Sequence, residues 1–477
     1  MAIFSLGFVA LLAYVLYSIS RIGQRDKRLP PGPPTVPILG NLLVFPRSFL
    51  HFQFSEWAKE FGDIYSLKVM NKTMIVLNSP SAIKEVVDKH GTASANRPHS
   101  ILADMICPDN NNLGTGRFAN DTWKVLRKAT AQCLSNDALL RHRSYLQAES
   151  AQLIYDMATT PKDWYRHQNR NIMSFTFGIT YGIRTPRVDS RYLTTFLHVH
   201  DRFINALELG RMPPVDLFPI MTLVPARFAK WKRTISSIRS EHESLYTELL
   251  NVVEKRLDSG LSSPAFMEEA VKNKEEWGIS TNAMMFNLGG TILEGADTAS
   301  AALQSAVLHL IKYPHTQLAA RAELDRVIGP DRMPTVEDLP NLPYTMAFVE
   351  EVNRFRPVGP LGVPHAMVED TVIDGFLYPK DAVLFLNIYG MFHDERYFDR
   401  PEEFLPERWL KNEYGVRSLE DDDKARRPNL FFGGGRRVCP GMWFAKSSMV
   451  GLYYHLENIF TDRMFAGNQC CEVHLGI

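Results

Sequence analysis

The residues around Cys439 form the strongest candidate for chemistry in this chain. Cys439 lies in the run Phe432-Gly-Gly-Gly435-Arg-Arg437-Val-Cys439-Pro-Gly441, and an apolar helical pattern begins at Met442. Glycines permit a tight turn and let the backbone approach a flat ligand closely. Backbone N–H groups near the sulfur and the start of the following helix favour a thiolate, while Arg437 offers a planar donor fork for a carboxylate. The run therefore predicts a thiolate ligand for iron in a flat macrocycle. A buried cysteine in a glycine-rich turn is the alternative.

A second group of reactive side chains extends from Glu294 to Thr298, in the middle of a helix predicted over Thr281–Lys312. Asp297 beside Thr298 could deliver protons through water to bound oxygen, and Gly295 would leave room for a diatomic ligand. The alternative is a buried helix in which the threonine bonds back to a carbonyl oxygen. Glu294 adds a carboxylate that either supplies a further proton or points elsewhere, and the sequence leaves both open.

Two pairs at helical spacing and one histidine complete the set of candidates. Glu351 and Arg354 share a helix face. Trp123 and Arg127 also share a face, for which an exposed aromatic–cation pair is the alternative. His365 lies in a predicted loop, where a hydrogen-bonded structural role is more common than ligand binding.

These motifs, in this order, resemble the cytochrome P-450 family over nearly the whole chain. The Cys439 run matches FxxGxRxCxG at all fixed positions, and Glu351 with Arg354 matches ExxR. Trp123 with Arg127 matches WxxxR. The helical motif matches AGx(D/E)T except at Glu294, where alanine is usual.

The resemblance implies a role for each matched residue. Cys439 would ligate the iron of haem b, in a loop formed with Phe432, Gly435 and Gly441. The contacts to the haem propionates would come from Trp123, Arg127, His365 and Arg437. The residues of oxygen activation would be Gly295, Asp297 and Thr298, and a buried structural triad would consist of Glu351, Arg354 and Arg408.

The resemblance also implies a fold and a reaction. The fold would be mainly α with a small β region. The enzyme would be a monooxygenase that inserts one oxygen atom of dioxygen into a lipophilic small molecule, in fungal secondary metabolism. Electrons would come from NADPH through a separate cytochrome P-450 reductase. The alternatives are a haem-thiolate isomerase or dehydratase, against which the Asp297-Thr298 pair argues, and a C-terminally truncated inactive form.

Composition and other motifs exclude several function classes. The formal net charge is zero, so nothing indicates a nucleic-acid partner. The five cysteines include no CxxC pair and do not suggest a disulfide scaffold. Gly114-Thr-Gly116-Arg-Phe-Ala119 imitates a dinucleotide fingerprint, but it follows a polar loop rather than a strand. No flavin or nicotinamide domain is evident.

The N-terminal residues predict a membrane anchor. Ala2–Ile19 carries no charge, and as a helix it would span about 27 Å, close to a bilayer core of about 30 Å. The basic residues that follow place the rest of the chain in the cytosol, and the prolines of 29–34 predict a stiff hinge. We expect an anchor at 1–20, a hinge at 21–34 and a catalytic domain at 35–477, on the endoplasmic reticulum membrane. A secretion signal is disfavoured because no basic residue precedes the apolar run and no small-x-small site follows it.

The remaining pattern predicts the secondary structure. Two strands are expected at Ile64–Met70 and Thr73–Leu77, and a small strand region around Asp374-Gly375. A mostly helical pattern runs from Asp121 to Lys312, with breaks at 210–225 and 259–264. The segment after about residue 450 does not resemble the family's usual ending, so a missing C-terminal β hairpin is expected.

Overall fold

The structure is a computed structural model that describes residues 14, 17, 21–108, 112–208, 210–329, 332, 336–417 and 429–448. It is mainly helical, as predicted. The α-helices in chain order are α1 (Leu50–Phe61), α2 (Pro80–Ile83), α3 (Ile101–Ile106), α4 (Asp121–Cys133), α5 (Asn136–Leu140), α6 (Arg143–Thr159), α7 (Trp164–Tyr181), α8 (Arg191–Leu207), α9 (Lys230–Asp258), α10 (Phe266–Lys272), α11 (Asn282–Lys312), α12 (Pro314–Val327), α13 (Pro343–Phe355), α14 (Ile388–Phe392) and α15 (Arg408–Lys411). A π-helical turn at Lys84–Lys89 extends α2, and residues 442–448 are also helical.

The β portion is small and lies beside the helices. The strands are β1 (Ile64–Val69), β2 (Lys72–Leu77), β3 (His365–Ala366), β4 (Thr371–Ile373), β5 (Phe376–Tyr378) and β6 (Val383–Leu386). One sheet has the order β1-β2-β6-β3, and β4 pairs with β5. Asp374 and Gly375 both have positive φ, 51° and 81°, which is the backbone of a tight hairpin turn. The strand pair predicted at 64–77 and the strand region around Asp374-Gly375 are confirmed, with shifts of one residue at the ends.

The long helix α11 runs through the main core and contacts α4, α7, α9 and α13. A Cβ atom at Gly289 would lie 2.1 Å from the Tyr181 hydroxyl oxygen, and one at Gly290 would lie 2.7 Å from the Tyr246 ring. Gly295, in contrast, has no atom within 4 Å of a built Cβ. The glycines therefore mark close helix packing at one position along α11 and open space at another.

Several predicted segments lie outside the described residues. They are most of the N-terminal anchor and the chain after residue 448. In the part of the chain that the structure does describe, no helix is long and apolar enough to cross a membrane.

Candidate haem-thiolate site

Cys439 is held at the end of a tightly turned loop. Two short 3-10 turns, Leu430–Phe432 and Gly435–Arg437, precede it. Its backbone N–H donates to the carbonyl oxygen of Phe432 at 2.9 Å, and the Gly441 N–H donates to the cysteine sulfur. The sulfur thus lies just before the helical segment 442–448, where backbone N–H groups favour a negative charge.

The Cys439 sulfur is in an environment that suits a metal-bound thiolate. Burial raises the pKa of the thiol, whereas the Gly441 N–H and the positive charge of Arg127 act to lower it. A coordinating cation would complete the deprotonation. Cys107 and Cys133 are buried as well, and burial raises the pKa of each well above its usual value. Burial also keeps the Cys439 pKa above its usual value, but among the described cysteines Cys439 is the one whose sulfur receives a hydrogen bond from a backbone N–H.

Gly435 fixes the loop against the π-helical turn. Its φ is +56°, and a Cβ atom there would lie 2.2 Å from the Val87 carbonyl oxygen. Its backbone N–H donates to Oδ1 of Asp88 at 2.9 Å. No residue with a side chain fits this position without displacing backbone.

Trp123 and Arg437 are stacked on each other, and both place donors on backbone carbonyl oxygens. The Arg437 guanidinium carbon lies 3.9 Å from the centre of the Trp123 ring. The indole N–H donates to the Leu113 carbonyl oxygen at 3.1 Å. Arg437 donates to the carbonyl oxygens of Ala95 at 2.7 Å and Gly116 at 2.7 Å. In this structure, these donors hold neighbouring backbone, and Trp123 acts on the site by supporting Arg437.

Three guanidinium groups converge next to this loop: Arg97, Arg127 and Arg437. Arg97 donates to the carbonyl oxygens of Gly114, Val363 and Pro364 at 2.6–3.1 Å, and Arg127 donates to that of Val438. Burial and the charge of Arg127 lower the pKa of Arg97 to about 10. Burial and the charges of Arg97 and Arg127 lower the pKa of Arg437 to about 9.

Clustered like charges of this kind need a counter-charge. Within the described residues, none of the three guanidinium groups has a carboxylate partner. Two carboxylates of a macrocycle would supply that charge, so the donor set fits a haem and its propionates. The sequence interpretation missed Arg97, because its partners come from loops that are distant in the chain.

His365 is buried on β3, and its Nδ1 lies 2.9 Å from the Ser94 carbonyl oxygen. Since a carbonyl only accepts, Nδ1 must carry the proton in that bond. Burial, together with Arg97 and Arg437, lowers the pKa of His365 to about 3. The neutral ring then has an acceptor at Nε2, which cannot donate to a propionate. The predicted propionate contact therefore requires that a bound propionate first raise this pKa.

Glu351, Arg354 and Arg408 form a compact, buried ionic group. Arg354 makes a two-bond pair with the Glu351 carboxylate, with both distances 2.8 Å. The Arg408 Nε lies 3.1 Å from the same carboxylate, and the Trp409 indole N–H donates to it at 2.9 Å. Arg354 also donates to the Phe392 and Pro401 carbonyl oxygens. The group thus ties α13 to α15 through Arg408 and Trp409, and to the segment that precedes α15 through the Pro401 carbonyl.

The middle of α11 presents a polar face to open space. Gly295, Asp297 and Thr298 are exposed, although the neighbouring residues of the helix are buried. The Thr298 hydroxyl donates to the Gly295 carbonyl oxygen at 2.8 Å, which is the back-bonding that the alternative interpretation described. Its lone pairs remain able to accept. Oδ2 of Asp297 lies 3.8 Å from Nε2 of His200, a neighbour that the sequence pattern did not indicate.

Glu294 is turned toward α9 and the loop at residue 112. Its Oε1 lies 2.9 Å from Nε2 of His242 and 3.3 Å from the Tyr246 hydroxyl. Asn112 donates to Oε2 at 3.3 Å. His242 and Asn112 were not expected in the site, since no motif connects them to the long helix.

Comparison with known proteins agrees with this geometry. The family model described as cytochrome P450 matches residues 30–456. The chain belongs to the cytochrome P450 family. It is 37% identical over 447 residues to a cytochrome P450 monooxygenase of Armillaria gallica, which covers 94% of this chain and 84% of the relative.

Other relatives of the cytochrome P450 family have similar coverage. The chain is 36% identical to cytochrome P450 monooxygenase atE of Aspergillus terreus, over 92% of this chain and 82% of the relative. It is 35% identical to cytochrome P450 monooxygenase patI of Penicillium expansum, over 92% and 82%. Members of this family bind haem b through a cysteine thiolate, in agreement with the Cys439 loop and its uncompensated cations.

Proposed function

We propose that this chain is a haem-thiolate monooxygenase that inserts one oxygen atom of dioxygen into a lipophilic small molecule in fungal secondary metabolism. The observation that carries the proposal is the exposure of Asp297 and Thr298 beside the open space at Gly295. A chain that only bound haem would have no need of an acid and an alcohol there. The relatives named as fungal monooxygenases support the same reaction class.

The residues of the loop would bind and orient the cofactor. Cys439 would ligate the iron, and the Gly441 N–H would stabilise the sulfur charge. Arg97 and Arg127 would hold the propionates electrostatically, and Arg437 would contribute positive charge while it braces the backbone carbonyls around it. Haem bound through a thiolate supplies dioxygen binding and O–O cleavage.

The α11 face would deliver protons. The Asp297 carboxylate is half-exposed and near His200, so it can hold a proton at Oδ2 and exchange it with water. The Thr298 hydroxyl is fixed by its bond to Gly295 and can accept a hydrogen bond from that water. Together they would pass protons from solvent to the open space beside Gly295.

Electrons would reach this site from NADPH through a separate cytochrome P-450 reductase, with the catalytic domain held on the cytosolic face of the endoplasmic reticulum. The one match to a dinucleotide-binding motif follows a polar loop rather than a strand, which supports a separate electron donor. The uncharged run Ala2–Ile19, followed by basic residues, supports the anchor. Removal of residues 1–20 should then move the expressed protein from the membrane fraction to the soluble fraction.

The first test is the difference spectrum of the reduced protein with carbon monoxide. A red-shifted thiolate band is expected from the full chain, and its loss is expected after Cys439→Ala. A full chain without that band would exclude the haem-thiolate assignment. NADPH consumption with added reductase, together with an oxygenated product from a lipophilic compound panel, would distinguish a monooxygenase from an isomerase or dehydratase, which turns over without reductase.

A further inference from the structure

Polar side chains from separate parts of the fold meet at Glu294. His242 and Tyr246 come from α9, Asn112 comes from the loop before α4, and Glu294 itself comes from α11. His242 and Asn112 are each 4% exposed and Tyr246 is 1% exposed. The Glu294 side chain is 13% exposed to solvent. Glu294 is therefore a partly buried member of a cluster whose other side chains are almost fully buried.

The cluster lies in an apolar region. Leu288 and Leu293 on α11 are fully buried, and the Phe203 ring centre is 6.0 Å from that of His242. A charged carboxylate in such surroundings is costly unless hydrogen bonds compensate it. Burial acts to raise the pKa of Glu294, but the hydrogen bond from His242 and the charges of His242 and His200 outweigh burial and bring this pKa below its usual value. The ionised group can only accept hydrogen bonds.

The two carboxylate oxygens are unequally satisfied. Oε1 accepts hydrogen bonds from His242 and Tyr246. Oε2 accepts a single, long hydrogen bond from Asn112, at 3.3 Å. Each carboxylate oxygen can accept about two hydrogen bonds. Counting donors from the described residues only, one acceptor position on Oε2 stays open.

The residue that carries the open acceptor lies on the same side of α11 as the exposed Asp297 and Thr298. Glu294 precedes Thr298 by four residues and Asp297 by three, so all three share one side of the helix, with a spacing of about 5.4 Å per turn. Gly295, the next residue, faces open space. A molecule brought beside Gly295 and Thr298 for oxidation would come within reach of the Glu294 carboxylate.

We propose that Glu294 is a substrate-recognition residue that accepts a hydrogen bond from a hydroxyl group of the substrate. His242, Tyr246 and Asn112 hold the carboxylate in place, and the single open acceptor position suits one neutral hydroxyl donor in this apolar region. The inference rests on the proposed function and narrows its substrate class to lipophilic molecules that carry a phenolic or alcoholic hydroxyl. In a mostly apolar pocket, a few placed polar groups set the orientation of the ligand.

The test compares matched probes with the haem-loaded full chain. Pairs of hydroxyl and methoxy compounds on benzene, naphthalene and biphenyl scaffolds are titrated, and the dissociation constant is read from the shift of the haem absorbance on binding. The hydroxyl member of at least one pair should bind about tenfold tighter, because a hydrogen bond to a charged group contributes about that much. Equal affinity in every pair, or binding of no hydroxyl probe, would overturn the proposal.

Glu294→Gln keeps the shape and removes the charge. It should reduce the hydroxyl preference to less than about threefold and leave the methoxy affinity unchanged, whereas a purely structural role would weaken both members alike. Glu241→Gln is the matched control, because Glu241 pairs with Arg202 on the neighbouring helices outside this cluster and should leave both affinities unchanged. A Glu294→Gln protein that keeps the hydroxyl preference but releases more hydrogen peroxide would assign Glu294 to proton delivery and overturn the recognition role.

The failure of this inference can be distinguished from failure of the proposed function. The carbon monoxide spectrum of the unaltered chain tests the proposed function alone. If the thiolate band is present and the hydroxyl preference is absent, only the role of Glu294 is rejected. If Glu294→Gln loses the thiolate band, the affinities of the unaltered chain for the paired hydroxyl and methoxy probes still test the hydroxyl preference.

Discussion

The guanidinium carbon of Arg437 lies 3.9 Å from the centre of the Trp123 ring, and both residues direct a donor toward the Leu113 carbonyl oxygen. The stacked pair therefore links α4, the loop at residue 113 and the cysteine loop. The guanidinium donors of Arg437 bind backbone carbonyl oxygens. Arg437 therefore contributes to the site a positive charge that is held firmly in position. A lysine has neither the planar stacking surface nor the fork.

Arg437→Lys should reduce the haem content of the purified protein, because the charge is kept while the stacking and the bonds to Ala95 and Gly116 are lost. Haem per chain, measured by absorbance after purification, is the readout, and we expect a decrease of at least about twofold, on the basis of about 1 kcal/mol per lost hydrogen bond. Arg436→Lys is the control, since Arg436 is exposed and should retain full haem content. Equal haem content in both variants would show that the stacked pair does not hold the site.

The cysteine loop depends on backbone space as well as on charge. Gly435→Ala should impair haem binding strongly, because a Cβ atom would lie 2.2 Å from the Val87 carbonyl oxygen. Gly433→Ala is a close control: φ is +79° and no atom lies within 4 Å of its Cβ, so it carries only the strain of positive φ, about 1–2 kcal/mol. The carbon monoxide band should be nearly absent in Gly435→Ala and reduced in Gly433→Ala. Similar spectra for the two variants would mean that the contact with Val87 is unimportant.

Local patterns predicted much of this site, and long-range contacts account for what they missed. The spacing of Glu351 and Arg354, or of Trp123 and Arg127, follows from helix geometry, so the sequence alone places each pair on one face. Arg97 has no such signal, because its partners Gly114 and Val363 come from separate loops. The direction of the Trp123 N–H was also not predictable, since it depends on where the Leu113 carbonyl lies after folding. The same reason left the orientation of Glu294 open until α9 was placed beside α11.

Glu351→Gln should destabilise the fold rather than alter the chemistry. The substitution leaves Arg354, which is completely buried, without its counter-charge, and breaking a buried pair in this way costs about 3–5 kcal/mol. Chemical denaturation followed by circular dichroism measures the change. Glu56→Gln removes an exposed pair with Lys59 and should change stability by less than about 1 kcal/mol. If both variants unfold at the same denaturant concentration, the triad does not support the fold.

Thr298→Ala should separate oxygen consumption from product formation. The Thr298 hydroxyl, held by the Gly295 carbonyl oxygen, would be lost beside the open space where protons must be delivered, so reduced oxygen would leave as hydrogen peroxide more frequently. The measurement is hydrogen peroxide released per NADPH consumed, with reductase and a substrate that the unaltered chain oxidises, and an increase of several-fold is expected. Ser300→Ala is the control on the same helix, because Ser300 is buried and its hydroxyl has no hydrogen-bond partner among the described residues. Unchanged coupling in Thr298→Ala would remove this residue from the proton path, and Asp297 would then have to act through water alone.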